Sequence, residues 1–121
     1  DAEVYNNLGL SYKKLGKSKE AMEAYAKALA LNKDYPEALN NAGVLWMEQG
    51  DKQKAKIHLQ QAVEKKPEYA EAHLNLGLLL EQEGNFGGAL QHYQKFELLA
   101  ASMEEPIKQA VHEKIKNLEN R

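Results

Sequence analysis

Three asparagines, Asn7, Asn41 and Asn75, stand 34 residues apart. A side-chain amide donates and accepts hydrogen bonds at once, so a row of amides can hold the backbone of an extended peptide whatever its side chains are. Each asparagine is followed three positions later by an apolar residue, Leu10, Val44 or Leu78, and preceded by four positions by a glutamate, Glu3, Glu37 or Glu71. With Met47 beside Val44, these types suit reversible recognition. The amides meet peptide backbone, the apolar residues meet side chains, and the glutamates favour a peptide carrying lysine or arginine.

The segments that must carry this row repeat with it. Residues 36–69 read Leu39-x-x-Ala42-Gly43-x-x-Trp46, then Gly50, Ala55-x-x-x-Leu59, Ala62 and Pro67. One period earlier stand Tyr5-x-x-Leu8-Gly9-x-x-Tyr12, Gly16, Ala21-x-x-x-Tyr25 and Ala28; one period later stand His73-x-x-Leu76-Gly77-x-x-Leu80, Gly84 and Ala89-x-x-x-Tyr93. The period and this spacing resemble the tetratricopeptide repeat, over residues 2–103. The resemblance implies an all-α, right-handed α-solenoid of three helix-turn-helix repeats, at 2–35, 36–69 and 70–103. A C-terminal capping helix, 104–121, completes one domain. With 43% hydrophobic residues, the 121-residue chain can form one elongated core, burying roughly two-thirds of its unfolded surface. It opens at Asp1, already inside a repeat, and is expected to be a piece of a longer chain.

Local signals refine this expectation. Tyr5, Leu8, Gly9 and Tyr12 follow the i, i+3, i+4, i+7 pattern of one helix face. Gly16 supplies a left-handed end, and Ser18 is expected to cap the second helix. Lys33 stands where the family has proline, which predicts a frayed end to that helix. Pro36 suits a first turn, Asp51 caps the next helix, and Gly43 and Ala55 mark the closest approach of the paired helices. Gly87 and Gly88 predict fraying at the start of the sixth helix. Phe96 takes the place of Ala28 and Ala62, and Ala101 that of Pro67, so the regular array is expected to stop there. Beyond it, Glu104, Glu105 and Pro106 suit a helix start. Ile107, Val111, Ile115 and Leu118 form an apolar stripe, with Lys108, Gln109, His112, Glu113, Lys116 and Asn117 on the wet side. A truncated fourth repeat is the rival reading, but Val111 and Lys114 replace its glycine and aromatic.

At about 100° per residue, Leu39, Ala42, Gly43 and Trp46 share one side of their helix and Glu37, Asn41, Val44 and Glu48 the other. In the family fold the second side lines a concave groove, on a face that the repeat's own packing does not need. Neighbouring helices lie about 8–10 Å apart and an extended peptide advances about 3.3 Å per residue, so an asparagine meets the peptide roughly every third residue. The row resembles the asparagine ladder of O-linked N-acetylglucosamine transferases. It does not match the carboxylate clamp of heat-shock co-chaperones: Asn41 fits, but Asn6, Leu10, Glu71 and Asn75 stand where that clamp has its other lysine, arginine and asparagine residues.

Other chemistries find little support. His58 and His92 recur one repeat apart on second helices, which predicts outward-facing positions and no shared metal site, and no His-Glu-x-x-His spacing occurs. Ser11, Ser18 and Ser102 have no histidine or acid placed to activate them on this fold. Tyr5, Tyr12, Tyr25, Trp46 and Tyr93 match the family's packing aromatics and are expected in the core. No cysteine is present, so thiol catalysis and disulfides are excluded. Neither catalysis nor a cofactor or metal is expected. A net charge of −2 gives no basic footprint for nucleic acid, and no apolar run is long enough for direct membrane insertion.

The reading is a non-catalytic scaffold that binds a protein or peptide partner. Two alternatives stand beside it. Val4, Tyr5 and Leu8 lie near the outer side of the first helix with no preceding helix to cover them, which favours homo-oligomer assembly through that edge. The third reading is the docking arm of a larger enzyme.

Overall fold

The structure is a computed structural model and describes residues 1–100 and 105–121. Its helices are α1 (Ala2–Lys14), α2 (Ser18–Leu31), α3 (Pro36–Glu48), α4 (Lys52–Lys65), α5 (Ala70–Gln82), α6 (Phe86–Leu99) and α7 (Glu105–Glu119), with no strand among the described residues. They fall into two compact units, Asp1–Pro67 with α1–α4 and Glu68–Arg121 with α5–α7.

Each helix pair is closed by the same device. Gly50 adopts φ +86°, a conformation open to glycine at little cost. Around it the Gly50 N–H bonds to the Met47 carbonyl at 3.1 Å and the Asp51 N–H reaches back to Trp46 at 3.0 Å. These bonds satisfy the carbonyls left over at the end of α3. Asp51 then caps α4, accepting from the Lys54 N–H at 3.1 Å. Asn85 does the same for α6, accepting from Gly88 at 3.0 Å. The residue in this register before α2 is Lys17, and Ser18 is already helical and makes no cap, contrary to expectation. The cap must sit one residue before the helix, with extended backbone, so Ser18 stands one position too late.

The frayed start expected for α6 is absent. The helix is continuous through Gly87 and Gly88, because the Asn85 cap offsets part of the entropy the glycines lose. Nor is α2 shortened by Lys33; it has the same fourteen residues as α4.

Packing within each pair matches a glycine to a large side chain. A Cβ on Gly43 would lie 2.8 Å from Leu59 Cγ, and one on Gly77 would lie 2.7 Å from Tyr93 Cδ1. In the first pair the Tyr25 ring occupies the corresponding space against Gly9. In the first unit Tyr25 packs with Ala21, Ala42 and Leu45, while Leu10, Tyr12, Met22 and Leu29 cover the edges of that cluster. Of the aromatics expected in the core, Tyr25 and Tyr93 are fully buried, but Tyr5, Tyr12 and Trp46 are only half-buried. Trp46 instead carries the Lys54 ammonium over its face, 4.5 Å from the ring centre.

In the second unit Phe96 is fully buried. Val111, Ile115 and Leu118 of α7 are buried too, whereas Ile107 is 42% exposed. The buried stripe therefore starts one turn later than expected. Ala101, Ser102 and Glu104, with the roles expected of them, lie outside the described residues. No helix among the described residues is long and apolar enough to cross a membrane.

Candidate functional site

In the first unit the asparagine row begins on α1 and continues on α3. These helices are tied together by an amide pair: Asn41 Nδ2 donates to Asn6 Oδ1 at 2.9 Å. Asn6 is buried, Asn41 half-buried and Asn7 exposed. The 3.6-residue turn explains the difference, since adjacent positions on α1 point about 100° apart. Asn6 is thus directed toward α3 and Asn7 toward solvent. The bond uses one of the four hydrogen-bonding capacities of Asn41 and holds the plane of its amide. Lys13 and Glu48, two turns further on, add an ion pair across the same helices at 3.4 Å.

The apolar members are less free than the sequence suggests. Leu10 is half-buried and packs against the Ala42 and Leu45 cluster. It therefore serves the unit's own packing, contrary to the expectation that this face is not needed for it. Val44 and Met47 are half-buried on α3. Glu3 is exposed, whereas Glu37 accepts a hydrogen bond from Lys66 Nζ at 3.2 Å, which partly answers its charge. In the second unit α5 carries Glu71, exposed, with Asn75 and Leu78, both half-buried. One turn beyond Leu78, Glu81 accepts the Tyr93 hydroxyl hydrogen at 2.6 Å and pairs with Lys114 of α7 at 3.5 Å.

The outer side of α1 is open. Val4 is 60% and Leu8 41% exposed, and Tyr5 is half-buried beside a cavity of about 450 Å³ lined by Asp1, Lys27, Ala30 and Leu31.

The histidines correct the sequence reading. His92 does not face outward: its ring meets that of His73 of α5 edge to edge, with ring centres 5.2 Å apart and planes at 28°. The two Nδ1 atoms are 3.0 Å apart. Burial and the neighbouring His73 both hold the His92 pKa below the usual histidine value. Its periodicity placed His92 on its own helix but carried no information about what α5 presents there. His58 Nδ1 lies 2.8 Å from the Lys54 carbonyl, and His112 Nδ1 lies 2.8 Å from Glu97. Among the described residues no three histidine or carboxylate side chains gather to hold a metal ion.

Two family models, each described as tetratricopeptide repeat, match residues 2–35 and 47–106. No curated protein sequence matches the chain. Several solved structures share the fold. The first tetratricopeptide-repeat domain of Spaghetti (RPAP3), bound to the HSP90 peptide SRMEEVD, aligns with TM-score 0.85 at 20% identity, over 98% of this chain and 90% of that one. The Sgt2 tetratricopeptide-repeat domain from Aspergillus fumigatus gives 0.83 at 19%, over 98% and 77%. The type III secretion translocator chaperone SycD of Yersinia enterocolitica gives 0.88 at 13%, over 98% and 83%. These likenesses show an all-α, repeat-built solenoid fold.

Proposed function

Because this chain belongs to the tetratricopeptide-repeat family, we propose that it is a non-catalytic interaction scaffold that holds a peptide segment of a partner protein. The observation that carries this reading is the α1/α3 face of the first unit. There Asn41, oriented by its bond to buried Asn6, stands among half-buried Leu10, Val44 and Met47 with Asn7 exposed on the neighbouring helix. A held amide beside apolar surface gives a peptide both backbone bonds and side-chain contact, at a reduced ordering cost. The Spaghetti neighbour, solved with a bound peptide, supports a peptide as the occupant. Helix α5 presents Asn75 and Leu78 in the same register.

The charge preference differs from that neighbour's acidic ligand. Glu3 and Glu71 are exposed, and Glu37 is shared with Lys66. Each unit therefore favours lysine or arginine in a peptide, through Glu3 in the first and Glu71 in the second. At about 0.5–1.5 kcal/mol per net hydrogen bond, a short peptide binds with roughly micromolar affinity.

The test is selection from a displayed random-peptide library, followed by titration of the selected peptides against the wild-type chain and Asn7→Ala/Asn41→Ala/Asn75→Ala. Circular dichroism first confirms equal helicity. Basic peptides that bind the wild type and lose affinity for the triple variant support the ladder. Peptides that bind both equally, or an empty selection, refute it. A second reading, self-association through the outer side of α1, is favoured by the exposure of Val4 and Leu8. It requires a mass that rises with concentration in sedimentation equilibrium and falls back to the monomer when Val4 and Tyr5 are made polar.

A further inference from the structure

We propose that the cleft between α2 and α4 binds a short amphipathic helix of a partner protein, one with acidic residues at both ends of its apolar stripe. The first unit carries this by itself, on the side of α3 away from the asparagine row. Helices α2 and α4 both pack on α3, but no Cα of one comes within 8 Å of a Cα of the other. The floor between them is α3, through Leu39, Ala42 and Trp46. Two cavities, of about 440 and 300 Å³, share Leu29 and His58 in their linings and so join into one groove. Along α4 its lining runs from Lys54 to Lys65, eleven residues on. At about 1.5 Å per residue that is about 16 Å, the length of a helix of three turns.

The groove is apolar along its middle and cationic at its ends. At one end the Lys54 ammonium lies over the Trp46 ring. Asp51 stands 4.0 Å from that ammonium and already caps α4. At the other end Lys33 and Lys65 stand with Asp34 and Glu64, and Asp34 is taken up by Lys65 at 3.4 Å. Lysines thus outnumber carboxylates in the lining, and an occupant with acidic ends is answered at both. The preference is the reverse of the one that Glu3 sets on the α1/α3 face.

The α2 wall decides the occupant's backbone. Met22, Ala26 and Leu29 offer an extended strand no partner for its N–H and C=O groups, whereas a helix satisfies its own. Apolar side chains at i, i+3 or i+4 and i+7 of that helix then enter the groove. His58 stands where the two cavities meet. Its Nδ1 lies 2.8 Å from the Lys54 carbonyl, which can only accept, so Nδ1 carries the proton and Nε2 of the neutral ring is left as an acceptor.

The experiment uses the full 121-residue chain and a displayed library of three-turn helices without tryptophan, apolar on one face and with glutamate at both ends. Trp46 is the chain's only tryptophan, so its emission reads the groove directly and needs no variant. Selected helices are expected to shift that emission saturably, and the same helices with lysine at both ends to leave it unchanged. Ala26→Arg, which fills the groove from an exposed position, and Lys33→Glu/Lys54→Glu are each expected to weaken binding about tenfold or more. Circular dichroism confirms that the variants stay helical. Asn7→Ala/Asn41→Ala/Asn75→Ala keeps full affinity, which separates this site from the peptide face. The proposal is overturned by an empty selection, by an equal response to lysine-ended helices, or by full affinity in Ala26→Arg. An emission that shifts with protein concentration alone would assign the groove to a second copy of the chain and overturn it too.

Discussion

Tyr93 donates its hydroxyl hydrogen to Glu81 at 2.6 Å, whereas Tyr25, in the same register of the first repeat, buries its hydroxyl with no hydrogen-bond partner among the described residues. Both rings fill the space left by a glycine. The two tyrosines thus separate the value of the ring from that of the hydroxyl. Tyr93→Phe breaks a bond to a charged group and is expected to lower stability by about 1.5–3 kcal/mol. Tyr25→Phe removes a buried, unsatisfied oxygen and is expected to be neutral, or stabilising by up to about 1 kcal/mol. Urea unfolding of the two variants checks the contrast, and equal losses would contradict it.

The Asn6–Asn41 bond predicts a stability cost alongside any effect on binding. Asn6→Leu removes the acceptor and places an apolar group against a half-buried amide. The expected loss is about 1–3 kcal/mol. Asn7→Ala, at an exposed position, should change stability by no more than about 0.5 kcal/mol. Thermal melts of both variants measure the difference.

Gly43 is held to its size by Leu59. A Cβ there would lie 2.8 Å from Leu59 Cγ and 3.4 Å from the Ala55 carbonyl. Leu59 can give way by rotation, but the α4 backbone behind it cannot do so as freely. Gly43→Val is expected to cost on the order of 1–3 kcal/mol, and Gly43→Val/Leu59→Ala should recover part of that. A double-mutant cycle reads the coupling.

Alkaline pH should unfold the chain through the same two tyrosines. Burial, with the charge of Glu48 adding to it, pushes the Tyr25 pKa up to about 12. Burial and the bond to Glu81 push Tyr93 higher still. In the unfolded chain each phenol loses its proton near about pH 10. Between these values the folded state holds more protons, so stability is full below about pH 10 and falls as pH rises through the folded values. Thermal melts across this range, with phenolate absorbance followed in parallel, measure the loss. Tyr25 and Tyr93 should ionise only with unfolding. Early ionisation of all six tyrosines without loss of helix would refute this.

The helices and their turns were legible in the sequence because they rest on local forces. A glycine that must take positive φ, an aspartate or asparagine before a helix, and a small residue opposite a large one recur with the repeat. Each acts within a few residues or one helix pair. Ser18 shows the limit of such reading: a one-position ambiguity in the cap was settled by backbone conformation. The asparagine row was legible as a spacing, and its residues lie on α1, α3 and α5.

Tertiary structure alone decided what each polar group meets. Asn6 looks like any helical asparagine until α3 lies beside it. Glu37 reads as a free charge until Lys66, 29 residues away, reaches it. His92 was expected to face water because its own helix gives no hint that α5 presents His73 there. Hydrogen bonds and desolvation act over about 3 Å between atoms distant in sequence. Periodicity can therefore tell which face a residue occupies, but only the packed helices determine which atom waits opposite.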